Sequence, residues 1–278
     1  MDIFLTLAFW YQVTMVAVLG AIIGSFLNVV IYRFNTGRSL SGHSHCLSCG
    51  QQLTWYELIP VLSWLVQCGL CRHCGCGVTV RYLLVEASTS FLFVLAFLNI
   101  PFGLPLLVSL VLVSLLMVIT AYDIAHLIIP DKLVWLTLLG ALLWFWSVDL
   151  FSSETELWLY HLLGAVFAGG SYGALWLLSG GRWLGFGDVK LAVPLGLVLG
   201  ASSTFSFIVL SFWVGAGVSL VLIMFQWFKV SRGKTRLPSG LKQLTMKSEV
   251  PFAPFIIIAF LLVFFWDVNV LQLVTFGW

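Results

Sequence analysis

From Gly103 to Thr120 the chain runs without one ionisable side chain, and similar apolar runs recur along most of its length. In hydrocarbon a backbone must satisfy its own hydrogen bonds, so each such run is expected to be a membrane-crossing helix. Composition agrees: 9% of residues are charged, 61% are hydrophobic and the mean hydropathy is +1.07. These values exclude a water-soluble domain of 278 residues. The expected fold is an all-α polytopic membrane protein with about eight transmembrane helices and one small subdomain outside the membrane. The spans fall near residues 4–31, 82–100, 103–120, 133–147, 158–179, 191–203, 205–228 and 252–274. The sixth is short and contains Pro194, so it is expected to tilt, break or re-enter. The first begins with Asp2, lacks a basic leader and ends in no small-residue cleavage site, and it reads as a retained span.

Eight spans make the connecting loops alternate sides. One set of loops carries all 13 Lys and Arg, while the other carries none and holds Asp149, Glu154, Glu156 and Asp267. The positive-inside rule then places the basic loops in the cytoplasm and both termini outside. The basic stretch 229–249 is expected to attract anionic lipid headgroups. No phosphate-binding loop and no basic-aromatic module is present, so nucleic acid is not an expected partner.

Three segments follow from this reading: a first span over 1–32, a cytoplasmic four-cysteine domain over 33–81, and a seven-span core over 82–278. All six cysteines lie in the second. Cys46-Leu47-Ser48-Cys49 and Cys71-Arg72-His73-Cys74 form two CxxC knuckles separated by 21 residues. Four thiolates at this spacing suit tetrahedral Zn²⁺, since each knuckle supplies two ligands from one tight turn. A reducing cytoplasm disfavours structural disulfides, and so small a segment gains stability from a metal staple. With four thiolates bound the metal has no open position, so the site is structural. Cys68, Cys76, His43, His45 and His73 are nearby substitutes. Between the knuckles, the apolar stretch 55–65 is either an interfacial helix or a small core against the zinc site.

Several polar residues within spans read as structural. Gly24 and Ser25 permit close helix packing and Asn28 can bond across helices. Gly164, Gly169, Gly170 and Gly173 suggest the same on the fifth span. Glu86 needs a partner, for which Arg81 or Tyr82 is the expectation.

Two acids are harder to assign to structure. Asp188 lies in Gly185-Phe186-Gly187-Asp188-Val189-Lys190, between apolar runs, and Asp123 ends another run at the same boundary. Asp131, after Pro130, reads as a helix cap instead. If packed together, Asp123 and Asp188 form a pair in which one acid holds a proton and the other activates water. That is aspartic-protease chemistry.

With these residues assembled, the chain resembles the bacterial type IV prepilin peptidases, membrane aspartic proteases of the GxGD type. The resemblance runs through GSFLNVVIYR at 24–33, the two knuckles, LIPVLSW at 58–64, RYLLVE at 81–86, an Asp at 123 followed by IPD at 129–131, GFGDVK at 185–190 and PFAPF at 251–255. It implies a bifunctional enzyme that cuts the basic leader of type IV prepilins or type II secretion pseudopilins after a Gly. It also implies N-methylation of the new terminus from S-adenosylmethionine. By motif, Asp123 and Asp188 are the catalytic acids, Cys46, Cys49, Cys71 and Cys74 the zinc ligands, and Gly69 is tied to methylation. The chain departs from the family at Leu47, where Pro is usual, and at Leu70, where a basic residue is common. Two competing classes are a proton-coupled transporter using the same acids, and a zinc-stapled assembly scaffold. A transporter would want its acids near the midplane and shows here no inverted repeat.

Overall fold

In the computed structural model, residues 8–34, 39, 42–149, 157–231 and 250–270 are described. Among them the regular elements are helical: α1 (Phe9–Arg33), the short α2 (Leu62–Val66), α3 (Val80–Asn99), α4 (Leu104–His126), α5 (Asp131–Asp149), α6 (Leu157–Ser179), α7 (Phe186–Leu199), α8 (Ala201–Ser231) and α9 (Ala253–Trp266). A 3₁₀ turn covers Trp55–Leu58. Six of the helices, α1, α3, α4, α5, α6 and α8, are long and apolar enough to cross a membrane, and the protein is a multi-pass membrane protein. The expected sixth and eighth spans correspond to α7 and α9, with 14 residues each. At 1.5 Å per residue such a helix covers about 21 Å, less than the ~30 Å of a hydrocarbon core. The basic segment expected to meet lipid lies almost wholly outside the described residues.

The chain forms two compact units, residues 1–122 with 146–151, and 123–145 with 152–278. In the first, α1 packs on α3. The buried face of α1 is Val16, Gly20, Gly24, Leu27, Asn28 and Ile31, a helical stripe that meets Val85, Glu86, Thr89, Leu92, Phe93 and Ala96. Small residues decide how close the helices come, because apolar lipid offers no hydrophobic drive for helices to associate. A Cβ on Gly24 would lie 2.7 Å from the Glu86 Cα. Ser90 Oγ donates to the Ala17 carbonyl at 2.7 Å and Asn28 Nδ2 to that of Tyr82 at 3.1 Å. The packing roles expected for Gly24 and Asn28 are therefore present. On the opposite face Met15, Val18, Leu19, Ile22 and Phe26 are exposed, as lipid-facing side chains should be.

In the second unit α6 and α7 meet with almost no side chain between them. A Cβ on Gly164 would come 2.4 Å from the Gly196 carbonyl oxygen, and one on Gly169 would come 2.7 Å from Val193 Cγ2. Gly170 has no neighbour within 4 Å, so its small size serves no packing there. α7 is buried from Leu191 through Val198 apart from Val193, and α9 buries nine of its fourteen residues while Ile258 and Trp266 stay exposed. Both short helices thus bury most of their surface against protein, which is how a helix too short to span on its own can exist at membrane depth. Pro194 sits inside α7, and Gly200, at φ +76°, breaks the chain before α8.

Candidate active site and candidate metal centre

Asp188 is the third residue of α7 and is buried. The backbone N–H of Gly185, the residue that caps the helix, donates to Asp188 Oδ2 at 3.1 Å. This is half a capping box, since glycine has no side chain to return the bond. The glycine at 187 has a separate purpose. A Cβ there would approach Ile129 Cβ at 3.1 Å, so the first turn of α7 fits against the segment leading to Pro130.

Asp123 lies in the last turn of α4 and is equally buried. α4 ends when Leu127 turns left-handed at φ +55° and its N–H closes on the Asp123 carbonyl at 2.8 Å. Asp123 Oδ2 accepts the N–H of Ala253 at 3.3 Å. Ala253 is the first residue of α9, where an N–H has no partner within the helix, so the acid meets an amide left over by the Pro251-Phe252-Ala253-Pro254 start. The two carboxylates lie within electrostatic reach of each other. The two acids, 65 positions apart in the sequence, are both buried at helix ends in one compact unit, each with one oxygen held by a backbone N–H.

Lys190, in the GFGDVK motif, had no assigned role in the sequence, and Tyr172 carried no signal there. Lys190 Nζ donates to Asp131 Oδ1 at 2.7 Å and stands 5.0 Å from the Phe186 ring. This ties the first turn of α7 to the start of α5, and Asp131 thereby does more than begin a helix. Tyr172, fully buried on α6, is within electrostatic reach of Asp188 and bonds its hydroxyl to Ser211 Oγ at 2.6 Å. A tyrosine inside an apolar run gives no hint that an acid lies beside it.

In the first unit the two cysteine knuckles have one design. Gly50 N–H donates to the Cys46 carbonyl and Gly75 N–H to that of Cys71, both at 2.9 Å, and both glycines are left-handed. Each turn is closed by an antiparallel bridge, His45 to Gln52 and Leu70 to Gly77. The sulfurs of Cys46, Cys71, Cys74 and Cys76 all lie within 4.8 Å of one another. Four thiolates about 2.3 Å from a common centre lie ~3.8 Å apart, so the donor set fits tetrahedral zinc. The measured separations are 3.9 Å for Cys46–Cys74, 3.5 Å for Cys46–Cys76 and 3.1 Å for Cys74–Cys76. The cluster thus contains three of the expected ligands and adds Cys76. Cys49 interacts with Cys46 and Cys74 but lies outside the mutual set. Backbone N–H groups of Cys49 and Ser48 hold the Cys46 thiol down at about 6, which favours the thiolate a metal needs.

Glu86 does not pair with Arg81 or Tyr82 as expected. Its Oε2 accepts the N–H of Val61 at 2.7 Å, fixing a residue held at φ +63° between the 3₁₀ turn and α2. Periodicity could not foresee this, because the partner is a backbone amide in an irregular loop. In stretch 55–65 no apolar side chain is buried: Trp55, Tyr56, Leu58, Ile59, Leu62 and Leu65 are exposed and Pro60, Val61 and Trp64 half-buried, so the reading as a small core is not supported.

Residues 18–100 match the bacterial peptidase A24 N-terminal domain, and residues 110–220 match the type IV leader peptidase family. The chain is 30% identical to the prepilin leader peptidase/N-methyltransferase of Aeromonas hydrophila, over 92% of this chain and 91% of that protein. It is 37% identical to the protein of that name from Klebsiella pneumoniae, over 65% and 82% respectively. With the Myxococcus xanthus protein of the same name it shares 34%, over 74% of this chain and 62% of the relative. No solved structure matches. On these matches the chain belongs to the type IV leader peptidase family.

Proposed function

We propose that this chain is an aspartic endopeptidase of the cytoplasmic membrane face. It removes the leader of type IV prepilins or type II secretion pseudopilins after a Gly and then N-methylates the new N-terminal residue. The observation that carries the cleavage step is the burial of Asp123 and Asp188 at helix ends within electrostatic reach. Two carboxylates so placed share one proton. The ionised member takes a proton from a water whose oxygen attacks the scissile carbonyl carbon, and the protonated member gives its proton to the carbonyl oxygen. When the carbon–nitrogen bond breaks, the amine leaves with the proton taken from the water, and one hydroxyl of the diol returns its proton to the pair as the new carboxyl group forms. A substrate with its basic leader in the cytoplasm and its apolar helix in the bilayer presents its cut site where these helix ends lie, given the loop charges.

Methylation needs a methyl donor, and S-adenosylmethionine when bound supplies a methyl group on a sulfonium sulfur. Zinc would be held by thiolates of the cysteine cluster and would staple the two knuckles without taking part in chemistry. We assign it Cys46, Cys49, Cys71 and Cys74. The repeated knuckle makes Cys49 the counterpart of Cys74, and Cys76 is a fifth sulfur within the cluster.

The test is cleavage of a prepilin in reconstituted membranes by wild-type protein and by Asp188→Asn. Release of the leader by the wild type alone is expected. An intact precursor with the wild type would return the chain to the transporter or scaffold reading, and full cleavage by Asp188→Asn would remove the acid pair from the mechanism.

A further inference from the structure

Tyr172 is fully buried on α6, and the cleavage step above gives its hydroxyl no part. The packing of α6 on α7 sets it beside Asp188. A Cβ on Gly173, the next residue, would lie 3.7 Å from Cγ1 of Val189, the residue after Asp188. The tyrosine ring lies against Phe207 and stacks on Phe212 of α8, with centroids 6.1 and 6.0 Å away. Phe212 in turn meets Phe252 at 5.3 Å, and Phe252 precedes the Ala253 amide that holds Asp123. A row of rings thus runs from beside one acid to the anchor of the other and leaves the Tyr172 ring little freedom.

The direction of the Tyr172 hydrogen bond is decided one link further on. Ser211 Oγ lies 2.7 Å from the Ile208 carbonyl, which can only accept, so the single hydroxyl proton of Ser211 is committed there. In the 2.6 Å contact between Tyr172 Oη and Ser211 Oγ the tyrosine is then the donor. With its own proton so placed, the Tyr172 oxygen offers any other neighbour lone pairs alone. An acceptor beside a carboxyl group favours its O–H form over the carboxylate. Among the other titratable groups around Asp188, Asp123 comes from α4, and Lys190 and Asp131 bind each other at 2.7 Å. His126 and Arg182 are exposed, and α9 carries no titratable side chain.

We infer that Tyr172 is a positioning residue that keeps the shared proton on Asp188, making Asp188 the acid of the pair and Asp123 the base. The inference rests on the cleavage reading above and deepens it. Asp188 gives its proton to the scissile carbonyl oxygen, and Asp123 takes one from the attacking water.

The test follows leader release from a prepilin against pH, with full-length protein in reconstituted membranes. A bell-shaped profile is expected, its alkaline limb reporting loss of the proton from the pair. Tyr172→Phe removes the acceptor, and Ser211→Ala frees the tyrosine proton to turn toward Asp188. Both should move the alkaline limb to lower pH by about half to one unit and leave the acidic limb in place. Ser211→Thr keeps the bond and should keep the wild-type limb. In wild-type protein an epoxide, which alkylates carboxylates in preference to carboxylic acids, should mark Asp123 when peptides are mapped by mass spectrometry. That readout does not depend on how the variants fold. A rate lowered at every pH with no limb moved would reduce Tyr172 to a packing residue. That outcome, an alkaline limb moved upward, or epoxide label on Asp188 would overturn the assignment while leaving cleavage by the pair standing. A wild type that leaves the precursor intact at every pH would overturn both.

Discussion

Gly69→Ala separates the two proposed activities, and its cost follows from the structure. Gly69 sits at φ +68°, where an L side chain costs about 1–2 kcal/mol. The new Cβ would also lie 2.7 Å from Trp64 Cζ2, well inside van der Waals contact. The ring must retreat by roughly 0.7 Å or more, which strains its bond to the Val78 carbonyl, a contact worth about 1 kcal/mol. Together these terms disfavour the native packing of Trp64 on Gly69 by about 2–3 kcal/mol, or roughly 30- to 150-fold in its population. The acids belong to the other compact unit. We therefore expect Gly69→Ala to release the leader at a near-normal rate while yielding mature pilin that is largely unmethylated. Gel-shift of the precursor and mass spectrometry of the pilin N-terminus read the two steps on one sample. Wild-type methylation by Gly69→Ala would refute the account of Trp64 as a fixed ring, and equal loss of cleavage would show that the substitution simply unfolds the protein.

Gly164→Val should lower stability by about 3 kcal/mol or more, seen as a fall in melting temperature, because the added atoms meet the backbone of Gly196 and Gly200 and no side chain can yield. A melting temperature equal to wild type would mean that α6 and α7 can separate freely. Lys190→Met breaks an ion pair whose side chains are 36% and 63% exposed, so stability should change by less than about 1 kcal/mol. Its effect should appear instead as a reduced kcat for cleavage with little change in KM, and a purely thermal effect would argue against a positioning role. With zinc bound, a thiol-alkylating reagent should label Cys68 and Cys76 and spare Cys46, Cys49, Cys71 and Cys74 until a chelator is added. Labelled Cys49 beside protected Cys76 would transfer the fourth ligand position to Cys76.

Much of this protein can be read from one dimension because the bilayer simplifies the problem. Apolar run length sets helix length, which is why α1, α3, α4, α5, α6 and α8 were legible as spans. The knuckles were legible because a metal site repeats its ligands at short range. The acids stood out because a carboxylate in an apolar chain needs a reason to be there. What the sequence could not determine is everything that depends on a neighbour distant along the chain. Run length alone did not show that α7 and α9 bury most of their surface against protein, since an apolar side chain reads the same facing lipid or helix. Asp131 and Lys190 looked like ordinary boundary charges until folding set them 2.7 Å apart. Glu86 found its partner in the amide of a left-handed Val61, and the fourth sulfur of the cluster came from Cys76, two residues past the second knuckle. A cavity with two unpartnered oxygens, Asn28 Oδ1 and Glu57 Oε1, exists only because α1, α3 and the knuckle segment close around it. Hydropathy and motif spacing are properties of the chain, whereas enclosure, pairing and an unsatisfied buried oxygen are properties of contacts.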